Sequence, residues 1–121
     1  ALRTVGLADR ANIIVRNLSH GEHRQLEIAM ALATGPKLLL LDEPMAGMGA
    51  EESQKMVSIL NQLKGNHTIL LIEHDMDAVF ALADQITVLV YGKSIASGTP
   101  VEIRGNEEVR TAYLGEEGAA D

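Results

Sequence analysis

Two short apolar runs, each ending on a carboxylate, constrain this chain most: Lys37–Asp42 (KLLLLD) and Thr68–Glu73 (TILLIE). Pro36 and Pro44 bracket the first closely, which favours a strand over a helix. Continuous Leu and Ile without alternation predicts strands buried on both faces. Between them lies Ala50–Leu63, with Glu51 and Glu52 at its start and Met56, Leu60 and Leu63 at helical spacing. That stretch predicts an amphipathic helix, broken at Gly65-Asn66. Strand, helix and strand in this order predict a parallel crossover unit.

The flanks extend the pattern. Glu22–Ala33 is rich in helix formers, with Leu26, Ala29, Met30 and Ala33 on one stripe and Ile28 and Leu32 widening it. Such a helix is expected to be largely buried and to stop at Gly35-Pro36. Asp75 is placed to cap a helix over Met76–Ala83, whose apolar stripe is Met76, Val79, Phe80 and Ala83. Ile86–Tyr91 reads as a third strand, turned at Gly92-Lys93 into a short partner, Ser94–Ala96. Short helices near Val101–Arg104 and Glu107–Leu114 follow, then a small acidic tail, Glu116–Asp121, expected to fray. Residues 2–16 are weakly helical. The fold class is therefore α/β, with a mainly parallel sheet and flanking helices.

Composition narrows the function. Ten Lys and Arg against 17 Asp and Glu give a net charge of −7, which argues against broad binding of nucleic acid or anionic membrane through charge. Without Cys there is neither a disulfide framework nor a thiolate metal site. The longest apolar runs are too short to cross a bilayer, and no secretion signal opens the chain. It begins at Ala1 rather than Met, which reads as a chain cut from something longer.

In an open parallel sheet, chemistry sits beyond the carboxyl ends of the strands. Asp42-Glu43 and Glu73-His74 stand there. Four apolar residues followed by Asp-Glu is the Walker B pattern of nucleotide hydrolases, in which the first carboxylate serves Mg²⁺ and the second polarises water. Taken alone, an acidic pair is more often a solvated loop or a cap, and a single His after a strand more often a capping or packed residue. His20, His23 and His67 show no ligand spacing and read as surface residues. Leu18-Ser19-His20-Gly21-Glu22 opens the first strong helix, as either an ordinary cap or an anion site.

Order and spacing change the weight of these signals. LSHGEHRQLEIAMALATGPKLLLLDEP, then AGMGAEES, then TILLIEHDMDAV, resembles the second half of an ABC-transporter ATPase. LSHGE is similar to the signature, LLLLDEP to the Walker B box, MAGMG to the D-loop and IEHD to the switch-histidine loop. The closing stretch, LADQITVLVYGKSIASGTPVEIRGNEEVRTAYLGEE, resembles ATP-binding subunits of branched-chain amino-acid importers. The likeness runs from about Leu2 to Glu117. It implies that residues 1–34 end a helical subdomain carrying the signature helix. Residues 35–97 would form the core, and residues 98–121 the closing helices and tail.

By this resemblance Ser19, Gly21 and Glu22 bind ATP held by the opposite subunit, Asp42 serves Mg²⁺, Glu43 is the general base and His74 orients the γ-phosphate and water. Gly47 and Gly49 line the dimer seam. The implied partners are a second ATP-binding subunit, identical or not, and membrane permease subunits, on the cytoplasmic face of the cell membrane. His20 replaces the first Gly of the signature, Glu22 its usual Gln, and Gly49 a common Asp or Asn. An interaction half-domain without catalysis, and an ATPase subunit of lipopolysaccharide export, are the alternatives.

A phosphate loop needs G-x-x-x-x-G-K-[ST]. The sole Gly-Lys-Ser, Gly92-Lys93-Ser94, has Thr87 where the first glycine belongs, so it reads as a hairpin turn. The chain is thus expected to hold one half of a composite nucleotide site and to be inactive alone. In the resembled family the phosphate-loop strand lies between the strand ending at His74 and the strand Ile86–Tyr91. Three arrangements are open: those strands pair directly, another copy fills the gap, or the chain is a piece of a longer product.

Overall fold

The computed structural model describes residues 2, 4–10, 12 and 19–114, without the side chains of residues 10 and 114. Leu18, the acidic tail and much of the weakly helical opening lie outside the described residues. The chain forms two compact units, Ala1–Ala78 and Val79–Asp121.

The first unit is built around β1 (Leu38–Asp42), α2 (Ala50–Leu63) and β2 (Thr68–Ile72), preceded by α1 (His20–Leu32). β1 and β2 pair in parallel from Leu38 opposite Thr68 to Asp42 opposite Ile72, and α2 makes the crossover. The anticipated inward line of α2 is observed: Met56 and Leu60 are each 1% exposed and Leu63 is 4%. The strands, in contrast, are not buried on both faces. Leu39 is buried, but Leu38, Leu40, Leu70 and Ile72 are 52–67% exposed and share one face in the parallel register. Apolar continuity reports that a strand suits burial, not that the described residues supply a cover for it.

Helix α1 also departs from the expected stripe. Gly21, Ile28 and Ala29 are its buried residues, while Met30 is 65% exposed. Met30 follows Ile28 by two residues, roughly 200° around the helix, so the two cannot share a face.

Helix α3 (Met76–Leu82) straddles the division between the units. The Asp75 cap forms, with the Ala78 amide donating to its carboxylate at 3.2 Å. In the second unit β3 (Ile86–Val90) and β4 (Lys93–Gly98) make an antiparallel hairpin, followed by α4 (Pro100–Arg104), α5 (Glu107–Val109) and one wide turn at Arg110–Leu114. Ile86, Ile103 and Val109 form its core, against which Val79, Phe80 and Ala83 pack. The Arg104 guanidinium lies 4.4 Å from the centre of the Phe80 ring.

The turn falls one residue earlier than the sequence suggested. Val90 pairs with Lys93, leaving Tyr91 (φ 50°) and Gly92 (φ 77°) as its two central residues. Both take the left-handed values of the mirror-image turns that match hairpin twist. Ile95 is the extra residue of a bulge, since Val88 faces Ala96 while Leu89 faces Ser94.

β2 and β3 belong to separate two-stranded sheets. The direct pairing offered as one arrangement is therefore not formed. The α/β class stands, with one parallel and one antiparallel pair.

Candidate functional site

All the residues singled out for chemistry lie in the first unit. Parallel pairing brings both carboxyl ends of β1 and β2 to the same side, so Asp42 and Glu43 emerge beside Ile72, Glu73 and His74. Asp42 ends β1 and is exposed. The Glu43 amide then donates to the Ile72 carbonyl at 2.7 Å, one bond beyond the ladder.

Glu43 adopts a left-handed backbone, φ 48°. For a side chain with a Cβ this costs about 1–2 kcal/mol, which the surrounding structure has to offset. Its Oε1 stands 3.3 Å from His74 Nε2, an ion pair when the imidazole is protonated. The two side chains are 46% and 73% exposed. The acid and the histidine are thus neighbours across the two strand ends, open to an incoming ligand.

Residues 43–48 fold into two successive turns, with the Ala46 amide donating to the Glu43 carbonyl and Met48 to Met45, each at 3.1 Å. Gly47 (φ 78°) is required here, and a Cβ on it would come within 3.1 Å of His20 Nε2. Gly49 carries no such demand: it is the N-cap of α2 at φ −75°, with open space around it.

Ser19 caps α1 through a complete capping box. Its Oγ accepts from the Glu22 amide at 3.1 Å, and Glu22 Oε1 accepts from the Ser19 amide at 3.0 Å. The hydroxyl therefore keeps its own proton to donate, at the positive end of a helix. Gly21 is buried, and a Cβ there would meet Glu52 Oε2 at 3.1 Å. A cleft of about 530 Å³ is lined by Ser19, Gly21, Glu22 and Gln25 from α1 and its cap, and by Glu52 and Lys55 from α2.

Three contacts here had no role in the sequence reading. His20 Nε2 lies 2.8 Å from the Ala46 carbonyl oxygen. His67, half-buried, places Nδ1 2.8 Å from the Pro36 carbonyl, where the Thr68 amide also donates to Lys37. The Glu73 carboxylate accepts from three backbone amides, those of Met45, His74 and Asp75. Glu73 was visible as a polar strand end, but its partner Met45 lies 28 residues away and leaves no local signal.

The fold these elements build is that of part of an ATP-binding cassette ATPase domain. Residues 1–46 match the family described as ABC transporter, and residues 93–119 the one described as branched-chain amino acid ATP-binding cassette transporter. The chain is 45% identical over 117 residues to the high-affinity branched-chain amino acid transport ATP-binding protein LivG of Salmonella typhimurium, covering 95% of this chain and 46% of that protein. To BraF of Pseudomonas aeruginosa, of the same description, it is 43% identical over the same shares.

Among solved structures, MJ1267, an ATP-binding cassette of an ABC transporter, superposes with a TM-score of 0.83 at 29% identity, over 93% of this chain and 46% of that one. cbiO1 from Clostridium perfringens, part of the transporter complex cbiONQ, gives 0.81 at 28%, over 98% and 49%. The chain is a relative of the ATP-binding proteins of ABC transporters, and its fold is that of part of their ATPase domain. It spans about half the length of the relatives it matches. Among the described residues, no helix is long and apolar enough to cross a membrane.

Proposed function

We propose that this chain is the C-terminal half of the ATP-hydrolysing subunit of an ABC importer for branched-chain amino acids. The observation that carries the reading is the pair Glu43 and His74, 3.3 Å apart at two adjacent strand ends with Asp42 beside them. The division into the end of a helical subdomain (1–34), a core (35–97) and closing helices with the tail (98–121) belongs to the same proposal.

The donor set fits the nucleotide and metal that such ATPases use. Asp42 offers one exposed hard-oxygen carboxylate, and Mg²⁺ is commonly held by one or two carboxylates together with substrate phosphates. When bound, Mg²⁺-ATP supplies the γ-phosphoryl group with its charge partly neutralised. Glu43 accepts a proton from the attacking water, and His74 orients that water and the γ-phosphate. Ser19 donates its hydroxyl proton, and Gly21 its close backbone approach, to the ATP of the opposite subunit. Glu22 serves by holding Ser19, and Gly47 and Gly49 lie along the seam between subunits. Hydrolysis is then mostly positioning and electrostatics.

On this reading the partners are a second ATP-binding subunit and permease subunits at the cytoplasmic face of the membrane. Residues 1–121 contain no G-x-x-x-x-G-K-[ST], so alone they release no phosphate; Mg²⁺-dependent release from the pure chain overturns that. In the complete subunit, Glu43→Gln is expected to lower turnover roughly a hundredfold or more while sparing ATP binding. Near-normal hydrolysis by that variant refutes the general-base assignment.

A further inference from the structure

We infer that Glu73 is a positioning residue for the hydrolytic pair, a carboxylate clamp joining the loop after β1 to the loop after β2. The inference rests on the ATPase reading above and adds to it a residue that acts through the two loops it holds. Glu73 Oε2 accepts from the Met45 amide at 3.2 Å, and Oε1 accepts from the amides of His74 at 3.1 Å and Asp75 at 3.4 Å. One oxygen therefore holds the loop carrying Glu43, and the other holds the loop carrying His74.

The chemistry requires a carboxylate of this length. An ionised Glu accepts at both oxygens and donates at neither, and bonds to it are roughly twice as strong as neutral ones. Gln would turn an amide N–H₂ toward one set of backbone donors and lose that side. Asp, one methylene shorter, would reach its neighbours His74 and Asp75 but not Met45. Both oxygens are taken by backbone donors, so Glu73 is not itself placed as a base.

A second observation points the same way. Glu43 holds a left-handed backbone, which persists only where neighbouring structure fixes it. The chain is held immediately before that bend, by the Glu43 amide on Ile72, and two residues after it, by the Met45 amide on Glu73. Releasing the second tether frees the bend to relax and moves the Glu43 carboxylate away from His74.

The test uses Glu73→Gln and Glu73→Asp in the complete subunit assembled with its transporter, with Glu43→Gln in parallel. Both Glu73 variants are expected to lower kcat roughly ten- to a hundredfold, the scale of a misplaced catalytic group, with KM for ATP changed less than about twofold. A kcat within about twofold of the parent, or a loss in KM alone, overturns the clamp. If Glu43→Gln is inactive while Glu73→Gln turns over normally, only the clamp fails. If Glu43→Gln itself turns over, the underlying assignment fails. Should the Glu73 variants not fold, amide hydrogen exchange of the unmodified protein decides. The Met45 amide is expected to exchange at least about tenfold more slowly than a free amide, and exchange at the free rate overturns the proposal.

Discussion

His20 Nε2 stands 2.8 Å from the carbonyl oxygen of Ala46, tying the start of α1 to the turn that follows Glu43. A carbonyl only accepts, so Nε2 carries the proton, and the bond forms with neutral or charged imidazole alike. His20 thus performs a structural task inside its own chain. Gly47, the next residue after Ala46, is held without a Cβ by two constraints: its φ of 78° and the imidazole 3.1 Å from where a Cβ would be.

These constraints separate in a double-mutant cycle. Gly47→Ala is expected to destabilise the protein by about 1–2 kcal/mol from backbone conformation, with a further contribution from the imidazole contact. His20→Ala, exposed and losing one hydrogen bond, is expected to cost about 0.5–1.5 kcal/mol. The double variant is expected to be less destabilised than the sum, because the contact is gone while the φ penalty stays. Urea unfolding of the four proteins checks this, and strict additivity rules out contact between the two positions.

Much of the site was legible because its signals are local. Ser19 caps α1, one of the two readings its position offered, and the structure adds Glu22 as its capping-box partner. Asp75 caps α3 as its position implied, and Met56, Leu60 and Leu63 face inward at helical spacing. What escaped depends on residues distant in sequence. Periodicity marks Leu38 and Leu40 as apolar without saying what covers them, and among the described residues they are exposed. Glu73 and His20 act through Met45 and Ala46, more than twenty-five residues away, so neither spacing nor composition carried their roles.

The β3–β4 hairpin holds a tyrosine where glycine, asparagine or aspartate is usual. Tyr91 sits at φ 50° with its side chain fully exposed, so it carries the left-handed penalty without compensating burial. Tyr91→Asn is expected to stabilise the protein by about 0.5–1 kcal/mol, because Asn enters that region more readily. A rise in the urea midpoint is the expected outcome. A fall would mean that the exposed ring contributes more than its backbone costs.

Helix α4 carries a titratable cap. Glu102 Oε1 accepts from the Thr99 amide at 3.1 Å, and Thr99 Oγ1 accepts from the Glu102 amide at 3.3 Å. The backbone bond from Thr99, and then its side-chain bond, hold the Glu102 carboxyl below the ordinary glutamate range. A carboxyl depressed in the folded state contributes stability that is complete above its unfolded pKa and fades as pH falls through its folded one. The α4 cap is therefore expected to hold at neutral pH and to loosen below the usual glutamate range. Glu102→Gln keeps an acceptor for the Thr99 amide and removes the titration. In the parent the Thr99 amide resonance is expected to shift as pH is lowered below that range, and in Glu102→Gln to stay flat. An equally large shift in the variant would assign the transition to another group.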